Sequence, residues 1–126
     1  MNLSGLSATV GAVNDLQPQR TTLVLSHVED EDGITSRVVN LTEDGGLVIS
    51  GHDLGPGVER VFGFGEYEFE RRLSATDAET LRHLLGLTGD GDLLTAIEDR
   101  FTSTPQLEEY LQAHGVAGTF WNRIGD

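Results

Sequence analysis

The most regular alternation in the chain is Glu66-Tyr67-Glu68-Phe69-Glu70-Arg71-Arg72-Leu73, with Tyr67, Phe69 and Leu73 on one side and three glutamates on the other. A period of two with apolar and polar positions segregated predicts a half-buried antiparallel strand. Upstream, Thr21 to Val28 and Ile34 to Leu41 are rich in β-branched and apolar residues. They flank the acidic turn Glu29-Asp30-Glu31-Asp32 before Gly33, which predicts a hairpin. Glu43-Asp44-Gly45-Gly46 offers a second turn, since Asp-Gly and Gly-Gly tolerate positive φ, and Leu47 to Ser50 follows as a strand. Gly55-Pro56-Gly57 ends that strand, and Val58 to Phe64 fits either a short helical turn or a loop.

After Leu73 the period changes. Thr76-Asp77-Ala78-Glu79 has the form of a capping box with Thr76 as the cap, and Leu81, Leu84 and Leu85 recur at helical spacing up to Gly86. A second helix is expected from Asp90 or Asp92, with Leu93, Leu94, Ile97 and Phe101 as its buried stripe. Thr104-Pro105 reads as a cap followed by a first-turn proline, and Leu107, Tyr110 and Leu111 continue that helix to Gly115. The tail, Phe120-Trp121-Asn122-Arg123-Ile124, is too aromatic to stand free in water; it is expected to dock on the helices or return to the sheet, with Trp121 mostly buried. Leu3 to Val13 is small and weakly apolar, so residues 1–20 read as an edge strand or a loose arm. The predicted architecture is a single α+β domain: an antiparallel meander sheet of four to five strands followed by three helices packed on one face.

The length of 126 residues suits one core of ordinary size. With no cysteine, a disulfide framework, a thiolate metal site and a cysteine nucleophile are all excluded. The N-terminus has neither a basic stretch nor an unbroken apolar one, and no apolar run approaches the length of a membrane span, so a cytoplasmic protein is expected. Charge changes the picture most: 21 acidic residues against 8 basic ones give a formal net charge of −13. Such a chain is not expected to bind nucleic acid directly or to attach to an anionic membrane, because both depend on clustered Lys and Arg. Its electrostatic complement is a basic protein. Solubility, or life in high salt, accounts for an acidic surface equally well, and the use of Arg with no Lys is a habit of GC-rich genomes.

Aligning Gly45 or Gly33 with the invariant glycine of an EF-hand leaves Gly51 or Val39 where the bidentate glutamate belongs, and the Gly86 to Asp92 segment fails in the same way at Ile97. His27, His52, His83 and His114 are never three or four apart, so no helical face carries two of them; His52-Asp53, beside a glycine-rich turn, is the most suggestive. Neither a dinucleotide fingerprint, a phosphate loop with its Lys, nor a Gly-x-Ser-x-Gly elbow occurs. Glu66, Glu68 and Glu70 repeat at about 7 Å on one strand face, a separation compatible with carboxylate pairs, yet a solvated face of like charges accounts for them without catalysis. No catalytic residue, metal ligand or cofactor is therefore expected.

Gly51-His52-Asp53-Leu54-Gly55-Pro56-Gly57-Val58-Glu59, then Gly65-Glu66-Tyr67-Glu68, and the ending Phe120-Trp121-Asn122-Arg123-Ile124-Gly125-Asp126 together resemble a pattern of small uncharacterised acidic proteins of actinobacteria. The likeness covers residues 22–126 and implies a bacterial, stand-alone domain; it brings no activity with it. The expected function is that of a small acidic binding protein, an inhibitor or immunity-type protein neutralising a basic macromolecule such as a toxin domain or a nucleic-acid-binding protein. Glu29, Asp30, Glu31 and Asp32, with Glu66, Glu68 and Glu70, are the expected contact residues. The alternative is a small-ligand or lipid-binding domain whose pocket is lined by Phe62, Phe64, Tyr67, Phe69 and Trp121.

Overall fold

The computed structural model describes residues 20–87 and 92–125. The expectations for Leu3 to Val13 and for Asp90 lie outside the described residues. Five strands, β1 (Thr22–Asp30), β2 (Gly33–Leu41), β3 (Leu47–Leu54), β4 (Glu66–Leu73) and β5 (Thr119–Gly125), form one antiparallel sheet in the order β1-β2-β3-β4-β5. The helices are α1 (Pro56–Phe62), α2 (Ala75–Leu84), α3 (Leu93–Arg100) and α4 (Thr104–Ala113). The fold is thus α+β with a meander sheet, as expected, with four described helices where three were expected, and it decides two readings that the sequence left open.

First, Val58 to Phe64 resolves into α1, a helix inserted in the meander. Pro56 sits at its first turn, where a missing N–H costs nothing, and Gly63 closes it at φ 82°. Second, the helices do not end the fold: the aromatic tail returns as β5 against β4, with Phe69 opposite Asn122. Strand limits shift as well. β1 runs through Glu29 and Asp30, so only Glu31 and Asp32 remain in the turn, and β3 continues to Leu54, which puts His52 inside a strand rather than at its end.

Two caps also move. Ser74, not Thr76, accepts the Asp77 amide and opens α2, and Ser103, not Thr104, accepts the Gln106 amide and opens α4. In both cases the hydroxyl at the true boundary lies where the backbone is still extended, which the downstream Thr, already helical, does not satisfy. Thr104 is buried instead, and Phe101 lies just past the end of α3 though still in the core.

One face of the sheet carries Leu23, Val39, Leu47, Ile49, Phe69 and Leu73 into a core with Leu81 of α2, Leu94 and Ile97 of α3, and Leu107 and Leu111 of α4. Two ion pairs share that covered face. Arg37 donates to Asp53 at 2.6 Å, and Arg71 donates to Glu108 at 2.9 Å and to the Ala117 carbonyl at 2.8 Å, which ties β4 to α4 and to the approach of β5. Charged groups this far from water are tolerated because each has its counter-charge and further hydrogen bonds. No described helix is long and apolar enough to cross a membrane.

Candidate functional site

The other face of the sheet is covered by no described helix, and its residues follow from the register. Directly opposed residues share a face, so successive rows across the sheet read Glu29-Ile34-Leu54-Glu66, then His27-Ser36-His52-Glu68-Arg123, then Val24-Val38-Ser50-Glu70-Trp121. Two of the expected acidic groups, 37 residues apart in the chain, therefore meet in one row: Glu29 and Glu66 stand three strand spacings, about 14 Å, from each other.

The strand glutamates are not the free charges expected of them. Glu66 accepts a hydrogen bond from His52 Nε2 at 2.6 Å and lies 3.4 Å from Arg123 Nη2; Glu68 accepts from Arg123 Nε at 3.0 Å; Glu70 pairs with Arg72 at 3.0 Å. The hydrogen bond from His52, with the charge of Arg123 behind it, holds the Glu66 carboxyl below the usual glutamate range. Those two carboxylates in turn hold the Arg123 guanidinium protonated more firmly than an isolated one.

The hairpin tip is different. Among the described residues Glu29 pairs with His27 alone, at 3.0 Å, and Asp30 accepts the Asp32 amide at 2.8 Å. Asp32 pairs with Arg60 of α1, which anchors the tip, while Glu31 has no cation within ion-pair distance among the described residues.

Three chemical possibilities arise on this face. The ligand atoms of His52, Glu66 and Glu68 lie within 4.8 Å of one another, so a divalent cation can be reached by all three after small rotations. Arg123 already balances both carboxylates, however, and an ion would have to displace it.

Ser36 Oγ, His27 and Glu29 are linked at 2.8 and 3.0 Å in the order of a hydrolase triad. Ser36 nevertheless sits in β2, whose amides are engaged by β1 and β3, so among the described residues no backbone N–H of its own strand is left beside it to hold an oxyanion.

The third possibility is a small-molecule pocket. Phe62, Tyr67 and Phe69 do form a continuous run, with ring centroids 4.9 and 6.0 Å apart. Trp121 belongs to the opposite face, opposed to Glu70, so the five aromatics line no common cavity. The hollow beside Trp121 holds about 200 Å³, less than the roughly 300 to 1,000 Å³ typical of ligand sites. A wider groove of about 600 Å³, lined by Thr42, Glu43, Asp44, Arg72 and Asp77 among others, has no aromatic wall.

Trp121 itself is 51% exposed, against the expectation of burial. The β5 register turns it away from the core, toward the uncovered face. Arg123 was missed as a site residue, because its contacts with β4 exist only once β5 has joined the sheet, and nothing near it in the chain announces them. Comparison with protein-family models, curated proteins and solved structures finds no match to this chain.

Proposed function

We propose that the chain is a binding protein for a basic macromolecular partner, of the inhibitor or immunity type, and that the β1–β2 hairpin tip with the adjoining uncovered sheet face is its contact surface. The observation that carries this reading is how the charge is distributed. Seven of the eight arginines stand within ion-pair distance of a carboxylate of this same chain, and the eighth, Arg100, lies 5.5 Å above the Tyr110 ring. Those arginines do not reach Asp30, Glu31 and Glu59, which have no cation within ion-pair distance among the described residues. Asp30 and Glu31 stand exposed side by side at the hairpin tip, with exposed Glu59 on the neighbouring α1.

Adjacent like charges destabilise a turn, and their long-range field accelerates encounter with an oppositely charged surface. Beside them the uncovered face offers what a docked partner needs: exposed Val24 and Trp121 for apolar contact, and His52 with Ser36 and Ser50 for hydrogen bonds. Binding rather than catalysis fits an open face whose polar side chains mostly satisfy one another.

The test begins with retention of a basic protein on immobilised protein at low ionic strength and its release as salt rises. With that partner, the quadruple variant E29Q/D30N/E31Q/D32N should bind about tenfold more slowly or worse, with dissociation changed little and the salt dependence of association flattened. An association rate and salt slope equal to those of the parent chain would reduce the acidity to a solvation device and remove the proposal.

A further inference from the structure

The two edges of the sheet are built differently. Edge strands present unpaired N–H and C=O groups, and soluble proteins protect them with charges, proline or bulges. β1 has such protection: its register shifts between Val24 and Ser26, and it ends in Glu29 and Asp30. β5 has none. Its seven residues, Thr-Phe-Trp-Asn-Arg-Ile-Gly, contain no acid and no proline, and its one charge is neutralised by Glu68. Phe120, Trp121 and Ile124 are 49, 51 and 44% exposed on it, on both faces of the sheet. Among the described residues β5 pairs with β4 alone.

We propose that a second copy of this chain pairs antiparallel with β5 about a two-fold axis at Asn122, joining two sheets into one of ten strands. The sequence of β5 is self-complementary under that operation. On the helix-covered side Phe120 comes opposite Ile124 of the copy and Asn122 opposite its own amide; on the uncovered side Trp121 comes opposite Arg123 of the copy. Apolar thus meets apolar, amide meets amide, and the indole comes beside the Arg123 side chain, whose guanidinium is held by Glu66 and Glu68 of its own chain. No acid is brought opposite an acid, although acids outnumber bases 21 to 8 in the whole chain.

A basic partner is a poorer occupant of this edge, since the only charge it would meet on β5 is Arg123. Pairing of β5 with β1 of another copy would propagate into open filaments, and the bulge and acids of β1 oppose it. Isologous pairing closes after two copies and places both uncovered faces, with their hairpin tips, on the same side; it takes up Trp121 and does not depend on the partner proposed above.

Sedimentation velocity over a concentration series tests the dimer. The expected result is a single monomer-to-dimer transition that moves to lower concentration as salt rises from about 50 to about 500 mM, because two chains of charge −13 repel until screened. That salt response is opposite in sign to the one expected of a basic partner, so the two proposals fail separately. Trp121 is the only tryptophan, and its emission should move to shorter wavelength over the same concentration range. Ile124→Glu should weaken the dimer at least tenfold with an unchanged circular dichroism spectrum, whereas Val24→Glu, on the opposite edge, should leave it intact. A monomer at every concentration and salt, a dimer indifferent to Ile124→Glu, one lost in Val24→Glu, or a ladder of larger species would each overturn the pairing.

Discussion

Gly51 shows how one residue without a side chain shapes this sheet. It lies opposite Phe69 on β4, and the ring, 93% buried by its 7% exposure, is laid over it; a Cβ at position 51 would come 2.1 Å from the ring's Cε1. From there the ring receives the Arg37 guanidinium 5.2 Å from its centroid and packs toward Phe120 at 5.9 Å. Gly51→Ala therefore has to push a packed ring aside, an overpacking cost of about 1–3 kcal/mol. Urea unfolding should show a lower midpoint at unchanged m-value; an unaltered midpoint would mean that the ring has room to move. Nothing in Ser50-Gly51-His52 as a string of letters singles out this glycine, because its role is set by a residue 18 positions away.

At the scale of elements, the helix boundaries make a sharper test than the helices. α2 begins at Ser74, whose hydroxyl accepts the Asp77 amide at 3.1 Å, while Thr76 lies inside the first turn. Ser74→Ala is expected to cost about 1 kcal/mol, and Thr76→Ala distinctly less. Thermal or urea midpoints of the two variants settle the order, and a larger loss for Thr76→Ala would place the boundary two residues later. The strand boundaries reflect the same rule, that an element ends where its partners end. β3 extends past its apolar run to His52 and Asp53 because β2 and β4 continue alongside, with Ser36 and Glu68 facing His52.

For the molecule as a whole, acidity acts on stability in two opposing ways. The net charge of −13 disfavours a compact state by self-repulsion, which eases as carboxylates are protonated. Carboxylates that the fold has paired act oppositely. Glu66, held below the usual glutamate range by His52 and Arg123, binds its proton more weakly folded than unfolded, so its contribution is present above the unfolded value of about 4.3 and is lost as pH falls through the lower folded one. The stability difference between the parent chain and Glu66→Gln should accordingly shrink on acidification below about pH 4. A difference that is the same at every pH would show that the carboxylate's charge plays no part.

What the sequence determined by itself are the features that depend on neighbours along the chain. The two-residue period of Glu66 to Leu73, the glycine-marked hairpin turns, the leucine stripes of α2 to α4 and the net charge were all legible, because side-chain alternation and helical spacing are local geometry. So was the class of fold, since such elements can bury their apolar faces only by layering helices on a sheet. The tertiary structure alone decided which strand neighbours which, and with that the site. Register carried the tail into the sheet as β5, turned Trp121 outward, placed Arg123 on Glu66 and Glu68, and aligned Glu29 with Glu66 across four strands. The physical reason is that cross-strand pairing joins residues far apart in the chain through backbone hydrogen bonds that carry no side-chain signature, and a shift of one residue would have reversed every face.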